Sequence, residues 1–514
     1  MQLVYSSENR CNSARCHSLS LGRSDQGVCF DYPLHCRSHH SVGQVFRQAF
    51  RRYDCHETPP SVKTSPLWNL LRWIIQPLEL LDECNHRYGD CFTISFGSIA
   101  PLVFFSDPKA IEQIFAANPN LFDSGRANWI LRSTLGDHSL LLLDGDRHHR
   151  QRQLLMPPFH GERMRTYGQL IGQITEKVTN HWQVGKPFIV RPFMQEISIQ
   201  VILQAVFGLT EGDRLRQLKQ HLDAMLKLTT TRFGFAMAFF PILQRDFGAW
   251  SPGGQFVRIM QAIDQLLYAE IQERRENLDP SRTDILSLLL TARDEAGQSM
   301  TDLELRDELM TLLVAGHETT ATAITWALYW IHSLPEVKAK LMAELASLET
   351  DPEPMTIARL PYLNAVCSET LRIYPVGFIA ELRLPKEPVR VQDYEFGTDV
   401  ALVPCIYLTH HREDLYPESK QFRPERFLER SFSAFEFYPF GGSNRRCIGA
   451  AFALLEMKLA LVTILSRYQL ALAEERPVIP IRRGVTIAPR GGIRMVMTGQ
   501  RFTQEKAAPA FVSA

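Results

Sequence analysis

LRDELMTLLVAGHETTATAITWALYWIHSL, residues 305–334, constrains the fold of this chain more than any other stretch. Apolar side chains fall on most faces of it rather than on one stripe, which predicts a helix buried nearly all round. Thr301 followed three residues later by Glu304 has the pattern of a capping box, and Pro335 closes the far end. About thirty residues rising ~1.5 Å each give a rod of roughly 45 Å through the centre of the molecule. Such a rod needs a large helical shell, and most of the chain up to about residue 375 reads as helix.

Strand signals are fewer. DCFTISFGSIAPLVFFS, residues 90–106, reads as a hairpin around Gly97 and Pro101, and short strand patterns return at 379–404 and 485–498. The fold class is therefore mainly α with a minor β region. The 514-residue length gives a soft prior of about three domains. Lys plus Arg equals Asp plus Glu, 56 each, so net charge gives no support to a nucleic-acid partner. No run of about eighteen apolar residues exists, so no transmembrane anchor is expected. PLWNLLRWIIQPLELL, residues 66–81, reads as an amphipathic helix on the core, with weak contact to a membrane surface as the further option. No secretory h-region opens the chain; the expected compartment is the cytoplasm, with free thiols.

Residues 1–56 differ from the rest. They hold five of the ten cysteines, many His, Arg and Ser, and no hydrophobic periodicity. Without a C-x-x-C pair a zinc site is disfavoured against disorder. A start-site artefact is the third reading, although no methionine stands between Met1 and Met156. The expected organisation is this extension, a catalytic domain over 57–500 and a tail over 501–514.

FYPFGGSNRRCIG, residues 437–449, places Cys447 among glycines and arginines just before a helical pattern. The helix dipole, its free N–H groups and nearby positive charge are expected to lower the thiol pKa toward the thiolate, the form that binds metal. Mid-way along the long helix stand Ala315, Gly316, Glu318 and Thr319. A threonine hydroxyl there can bond the carbonyl four residues back and open a local groove. Glu369 and Arg372 share a helix face, and FRPERF brings Arg426 about fifty residues later. His148 and Arg152, spaced i,i+4 after Gly145, can converge on one anion.

Phe440, Arg445, Cys447 and Gly449 in F-x-x-G-x-R-x-C-x-G resemble the haem-binding loop of the cytochrome P450 family. The other three constellations follow in the family's order. The resemblance implies a single helical domain holding haem b, iron protoporphyrin IX, between the long helix and the cysteine loop. It makes Cys447 the axial iron ligand, with Phe440 packed beside the sulfur. His148, Arg152, Arg383 and Arg445 become propionate partners. Glu318 and Thr319 become an acid–alcohol proton relay beside the Ala315–Gly316 groove, and Glu369, Arg372 and Arg426 a structural network. Ser443 stands where the family has glycine, and Gly441 and Gly442 are expected to take up the positive-φ turn.

The implied activity is insertion of one atom of O2 into a C–H bond or double bond of a lipophilic substrate, a fatty acid or a terpenoid. Soluble bacterial and cyanobacterial members acting on lipids are the most similar. No flavin or nicotinamide domain fits, so a ferredoxin or flavodoxin with its reductase is the implied electron donor. It would dock over Arg147, Arg150, Arg446 and Lys458. Residues 229–243 fall where the family has an access lid. Trp129, Ile130, Leu131, Val376, Phe378 and Ile379 are the candidate pocket. Two rivals are a peroxide-using peroxygenase or isomerase, against which Glu318–Thr319 argues, and a non-catalytic haem sensor, which needs no proton relay.

Overall fold

The long helix forms as its caps dictate. In the computed structural model it runs Asp302–Ser333. Thr301 Oγ1 accepts from the Glu304 N–H (3.2 Å) and Glu304 Oε2 accepts from the Thr301 N–H (2.8 Å). At the far end Pro335 both stops it and starts the next helix, Pro335–Ala346, where the missing proline N–H is not needed. The structure describes residues 58–501 apart from positions 98, 209–211, 249, 280 and 350–351. The readings of residues 1–56 and of the tail beyond 501 lie outside the described residues.

The helices that position the site are α1 (Pro66–Ile75), α2 (Pro77–Tyr88), α3 (Gly145–Leu155), α4 (Arg163–Thr179) and α5 (Val190–Phe207). They continue with α6 (Asp213–Thr229), α7 (Arg232–Met237), α8 (Pro252–Glu276), the central α9 (Asp302–Ser333), α10 (Pro361–Ile373) and α11 (Ala450–Arg467). The central helix packs most extensively on α5 and also on α8, α10 and α11. Leu305, Leu309, Ile324, Trp326 and Ile331 are fully buried in one large apolar cluster with residues of α4, α5 and α11. Described residues from 58 onward belong to one unit, against the length prior of three domains.

The expected hairpin forms β1 (Cys91–Ile94) and β2 (Leu102–Phe105), paired antiparallel. A later strand, β6 (Ala401–Pro404), joins β2 in parallel. A second three-stranded sheet orders β3 (Pro187–Ile189), β10 (Arg494–Gln500) and β7 (Tyr468–Leu472). Two-stranded hairpins pair β4 (Val389–Val391) with β5 (Tyr394–Phe396) and β8 (Pro480–Arg483) with β9 (Thr486–Pro489). The sequence patterns missed the strands at 187–189, 468–472 and 480–483, which are short; the first two are stabilised by a partner distant in sequence, whereas 480–483 pairs with the adjacent 486–489.

Residues 66–81 divide into two helices at Gln76, because Pro77 cannot continue the hydrogen-bond ladder. α1 does lie on the core, through Asn69, Leu70, Trp73 and Ile74, while Leu67, Trp68 and Leu71 stay exposed. No helix among the described residues is long and apolar enough to cross a membrane.

Candidate active site

Among the described residues five cysteines are free. Cys84, Cys91, Cys367 and Cys405 are buried, and burial pushes their thiols up to about 11–12. Cys447 alone is exposed. Burial among protein atoms is nevertheless the largest influence on its thiol, so its sulfur faces an internal space. The expected lowering of its pKa does not occur. Burial raises it, and the Gly449 backbone N–H, Arg152 and Arg446 pull downward without prevailing. The Cys447 N–H donates to the Phe440 carbonyl at 3.0 Å, closing the loop. Gly441 (φ 68°) and Ser443 (φ 60°) take left-handed backbone, whereas Gly442 does not. Serine itself thus accepts one of the turns assigned to the glycines. Gly442 serves a different need: a Cβ there would lie 2.3 Å from the Phe115 ring.

The central helix is buried along most of its length, but Ala315 is exposed and Val314, Gly316 and Thr319 are half-buried. A buried helix with an exposed alanine in its middle borders an internal chamber. Thr319 Oγ1 donates to the Ala315 carbonyl at 2.6 Å, the predicted back-bond. Gly316 serves helix packing: a Cβ would meet Ile202 of α5 at 3.0 Å, and Ser198 Oγ donates to the Gly316 carbonyl at 3.2 Å. Glu318 also turns into α5, where Arg191 donates to Oε1 and Gln195 donates to Oε2 at 2.8 Å. Arg483 approaches the same carboxylate at 3.9 Å.

His148, Arg152, Arg383 and Arg445 are brought together. Burial and the three arginines push His148 down to about 3, so it is neutral. Burial holds Arg383 at about 10, with Arg445 pulling it the same way. Arg445 donates to Asp144 (2.6 Å) and the Leu143 carbonyl (2.7 Å), and Arg383 to Ser124 Oγ (3.1 Å). Glu381 is pushed up by burial; Asn128 donates to its Oε1 at 2.9 Å, and its Oε2 accepts no hydrogen bond. Three arginines and a neutral histidine gathered here fit a ligand with two carboxylates. An open internal thiol, a chamber wall at Ala315 and Thr319, and these cations together suit haem. No cluster of three or more His, Cys, Asp or Glu suited to a metal exists among the described residues.

Glu369, Arg372 and Arg426 form a closed network with at most 3% exposure. Arg372 binds Glu369 twice, at 2.6 and 2.9 Å, and donates to the carbonyls of His410 and Gln421. Arg426 and the Arg423 N–H complete the Glu369 carboxylate at 3.1 and 2.8 Å. His410 Nε2 accepts from the Tyr438 N–H at 3.1 Å, which links the network to the loop carrying Cys447.

Trp129, Ile130 and Leu131 form one 3-10 turn, with Trp129 exposed. Val376 and Phe378 are buried and Ile379 is half-buried. Of the four proposed docking cations, Arg147 and Arg446 are exposed. Arg150 instead pairs with Asp294 and Glu304, and Lys458 donates to the Ala358 carbonyl at 2.9 Å. Asp144, Glu381, Asn128 and Arg191 escaped the sequence reading. Only Asp144, directly before Gly145, had a local signal.

The cytochrome P450 family model matches residues 59–494. Cytochrome P450 135B1 of Mycobacterium tuberculosis is 38% identical over 445 residues, covering 86% of this chain and 92% of that relative. Cytochrome P450 138 of the same species is 32% identical, covering 85% and 96%. Two solved structures share the fold. A cyanobacterial CYP120A1 with retinoic acid bound has a TM-score of 0.75 and 22% identity, covering 87% of this chain and 100% of its own. A cytochrome P450DA haem domain has a TM-score of 0.76 and 21% identity, covering 88% and 100%.

Proposed function

The chain belongs to the cytochrome P450 family, and from that premise we propose the residue roles, substrate class and partners of a lipid-oxidising monooxygenase. Membership makes it a haem-thiolate monooxygenase whose cofactor is haem b. Bound haem supplies the centre at which O2 takes two electrons and two protons, giving one oxygen atom to the substrate and the other to water.

Cys447 would hold the haem iron through its thiolate. The observation that carries this assignment is that it is the one exposed thiol among the described cysteines and still lies inside the protein. Arg152 and Arg446 then help hold the sulfur as an anion, and Phe440 fixes the loop through its carbonyl. His148, Arg152, Arg383 and Arg445 bind the two propionates, His148 as a neutral donor. In the chamber wall Thr319 Oγ1 holds a proton on the Ala315 carbonyl and presents its oxygen to the reacting site. Glu318, turned toward Arg191 and Gln195, would replenish that proton after leaving those partners and taking one up from solvent.

The substrate is a fatty acid or terpenoid, oxidised by hydroxylation or at a double bond. Support comes from the apolar character of Trp129, Ile130, Leu131, Val376, Phe378 and Ile379 and of helix α7 in the lid position. The structural neighbour with retinoic acid bound is in keeping with it. Electrons come from a cytoplasmic ferredoxin or flavodoxin and its reductase, docking over Arg147 and Arg446. The test is Cys447→Ser: the purified variant is expected to lose the thiolate signature in its reduced, carbon-monoxide difference spectrum. Retention of that signature would overturn the assignment of Cys447.

A further inference from the structure

Arg482, on β8, is 7% exposed and has no carboxylate partner among the described residues. A charged residue this deeply buried is ordinarily paired. Its Nε donates to the Gly484 carbonyl at 2.8 Å and its Nη1 to the Trp73 carbonyl at 2.9 Å. Nη2 donates to no protein atom among the described residues. Three aromatic rings surround the guanidinium: Phe235 of α7 at 3.9 Å, Trp73 of α1 at 5.0 Å and Phe378 at 5.2 Å. Cation–π contact offsets part of the desolvation of the charge and leaves it un-neutralised. No acidic residue among the described ones acts on it, and burial alone pulls its pKa down to about 9, so the group still carries its charge at neutral pH.

The surroundings connect this cation to the substrate chamber. The β8–β9 hairpin is pinned to the central helix by Trp326 Nε1, which donates to the Ile487 carbonyl at 3.0 Å. It is pinned to the segment after α10 by the Ile487 N–H on the Val376 carbonyl, also 3.0 Å. Its tip at Gly484 faces Thr230, at the end of α6, beside the lid. Arg482 therefore lies where the lid helix, α1 and the Val376–Ile379 segment meet.

We propose that Arg482 anchors the head group of a lipophilic monocarboxylate, whose apolar tail runs along Phe378 and Ile379. One unpaired positive charge calls for one negative charge; a dianionic head would leave the pocket with a net buried charge of the opposite sign. The open Nη2 edge supplies the charge-assisted hydrogen bonds. The inference rests on the lipophilic-substrate reading and narrows it to acids, with oxidation falling on the tail away from the carboxylate.

The test is equilibrium binding to the purified holoprotein at neutral pH, by the haem spin-state shift and by calorimetry, using hexadecanoic acid, its methyl ester and hexadecanol. The acid is expected to bind at least about tenfold more tightly than either neutral analogue. Arg482→Met is expected to erase that preference by weakening the acid alone, and Arg482→Lys to retain part of it. Equal binding of acid and ester to the wild type, or a preference surviving Arg482→Met, overturns the anchor and leaves the lipophilic chamber standing. If the Met variant does not take up haem, Arg482→Gln takes its place, and an acid preference surviving that neutral substitution overturns the anchor as well. Failure of all three ligands to bind defeats the anchor and the lipophilic-substrate reading together.

Discussion

Arg372 and Arg482 are both deeply buried arginines, and their surroundings have little else in common. Arg372 meets a carboxylate that binds it twice and two backbone carbonyls, and that carboxylate is completed by Arg426 and a backbone N–H. Arg482 meets two carbonyls and three rings, and no carboxylate among the described residues. The same contrast separates two sites. In the Glu369 network, one carboxylate and two guanidinium groups satisfy one another. On the other side Arg191 Nε is buried without a hydrogen bond, and Arg482 Nη2 meets no protein acceptor among the described residues. A polar group left unmet is costly. One side is therefore built on pairing, while the other keeps guanidinium nitrogens unmatched.

The strongest way to break this comparison is to make the same substitution on both sides. Arg372→Met leaves the fully buried Glu369 carboxylate with only Arg426 and the Arg423 N–H, and removing one partner of a buried pair costs about 3–5 kcal/mol. Denaturant unfolding of the holoprotein should show that loss, or expression should fail. Arg482→Met removes an uncompensated charge from an aromatic cluster and is expected to be neutral or stabilising, since a hydrophobic group of similar length suits that site. Equal losses from the two substitutions would show that burial alone, not pairing, sets the cost.

A second test uses pH. Glu456, on α11, is fully buried, and burial pushes it up to about 8. Its polar neighbour Ser198 already donates to the Gly316 carbonyl, and no charged group acts on it. The folded protein therefore keeps this carboxyl protonated between about pH 4.5 and 8 while the unfolded chain releases the proton. Below that window both states hold the proton. Within it the unfolded state binds fewer protons, so stability falls as pH rises, by up to ~1.4 kcal/mol per pH unit from this group. Glu456→Gln removes that slope, so the variant should gain on the wild type steadily from pH 5 to pH 8. A gap that stays constant across that range would mean that Glu456 is already ionised in the fold.

The side built on pairing was far more legible in the sequence. Glu369, Arg372 and Arg426 occur as short patterns, and the structure brings the three together. The capping box and Pro335 fixed the central helix to within a residue at each end. Hydrogen bonding within one helix or one loop leaves its signature at fixed spacing, and such spacing can be read. Arg482 and Glu456 carry no such mark. Each becomes unusual only through what folds against it: Trp73 and Phe235 come from about 410 and 250 residues away in sequence. The orientation of Glu318 was hidden for the same reason. Its neighbour Thr319 lines the chamber, while Glu318 turns toward Arg191 on another helix. Spacing along α9 could not say which of the two would face inward. The direction of the Cys447 pKa was misjudged because the dipole and the arginines are local, whereas the desolvation that outweighs them is a property of the packed loop.

The smallest expected effect lies in the cysteine loop itself. Ser443 holds φ 60° on an exposed side chain, where a Cβ crowds its own carbonyl at a cost of about 1 kcal/mol or a little more. Ser443→Gly removes that crowding but loosens the unfolded chain, which takes back several tenths. The net expectation is a gain of about 0.5 kcal/mol in unfolding free energy, read as a rise in the denaturant midpoint of the holoprotein, with an unchanged carbon-monoxide difference spectrum. One residue earlier the sign reverses. Gly442 has extended backbone and no conformational need for glycine, yet a Cβ there would run into the Phe115 ring. Gly442→Ala should therefore destabilise, because Phe115 is itself buried against Tyr438 and has little room to retreat. If both substitutions destabilise, the Ser443 side chain contributes something its exposure conceals, and strain in this loop is then a property of the thiol-binding turn rather than a tolerated departure from glycine.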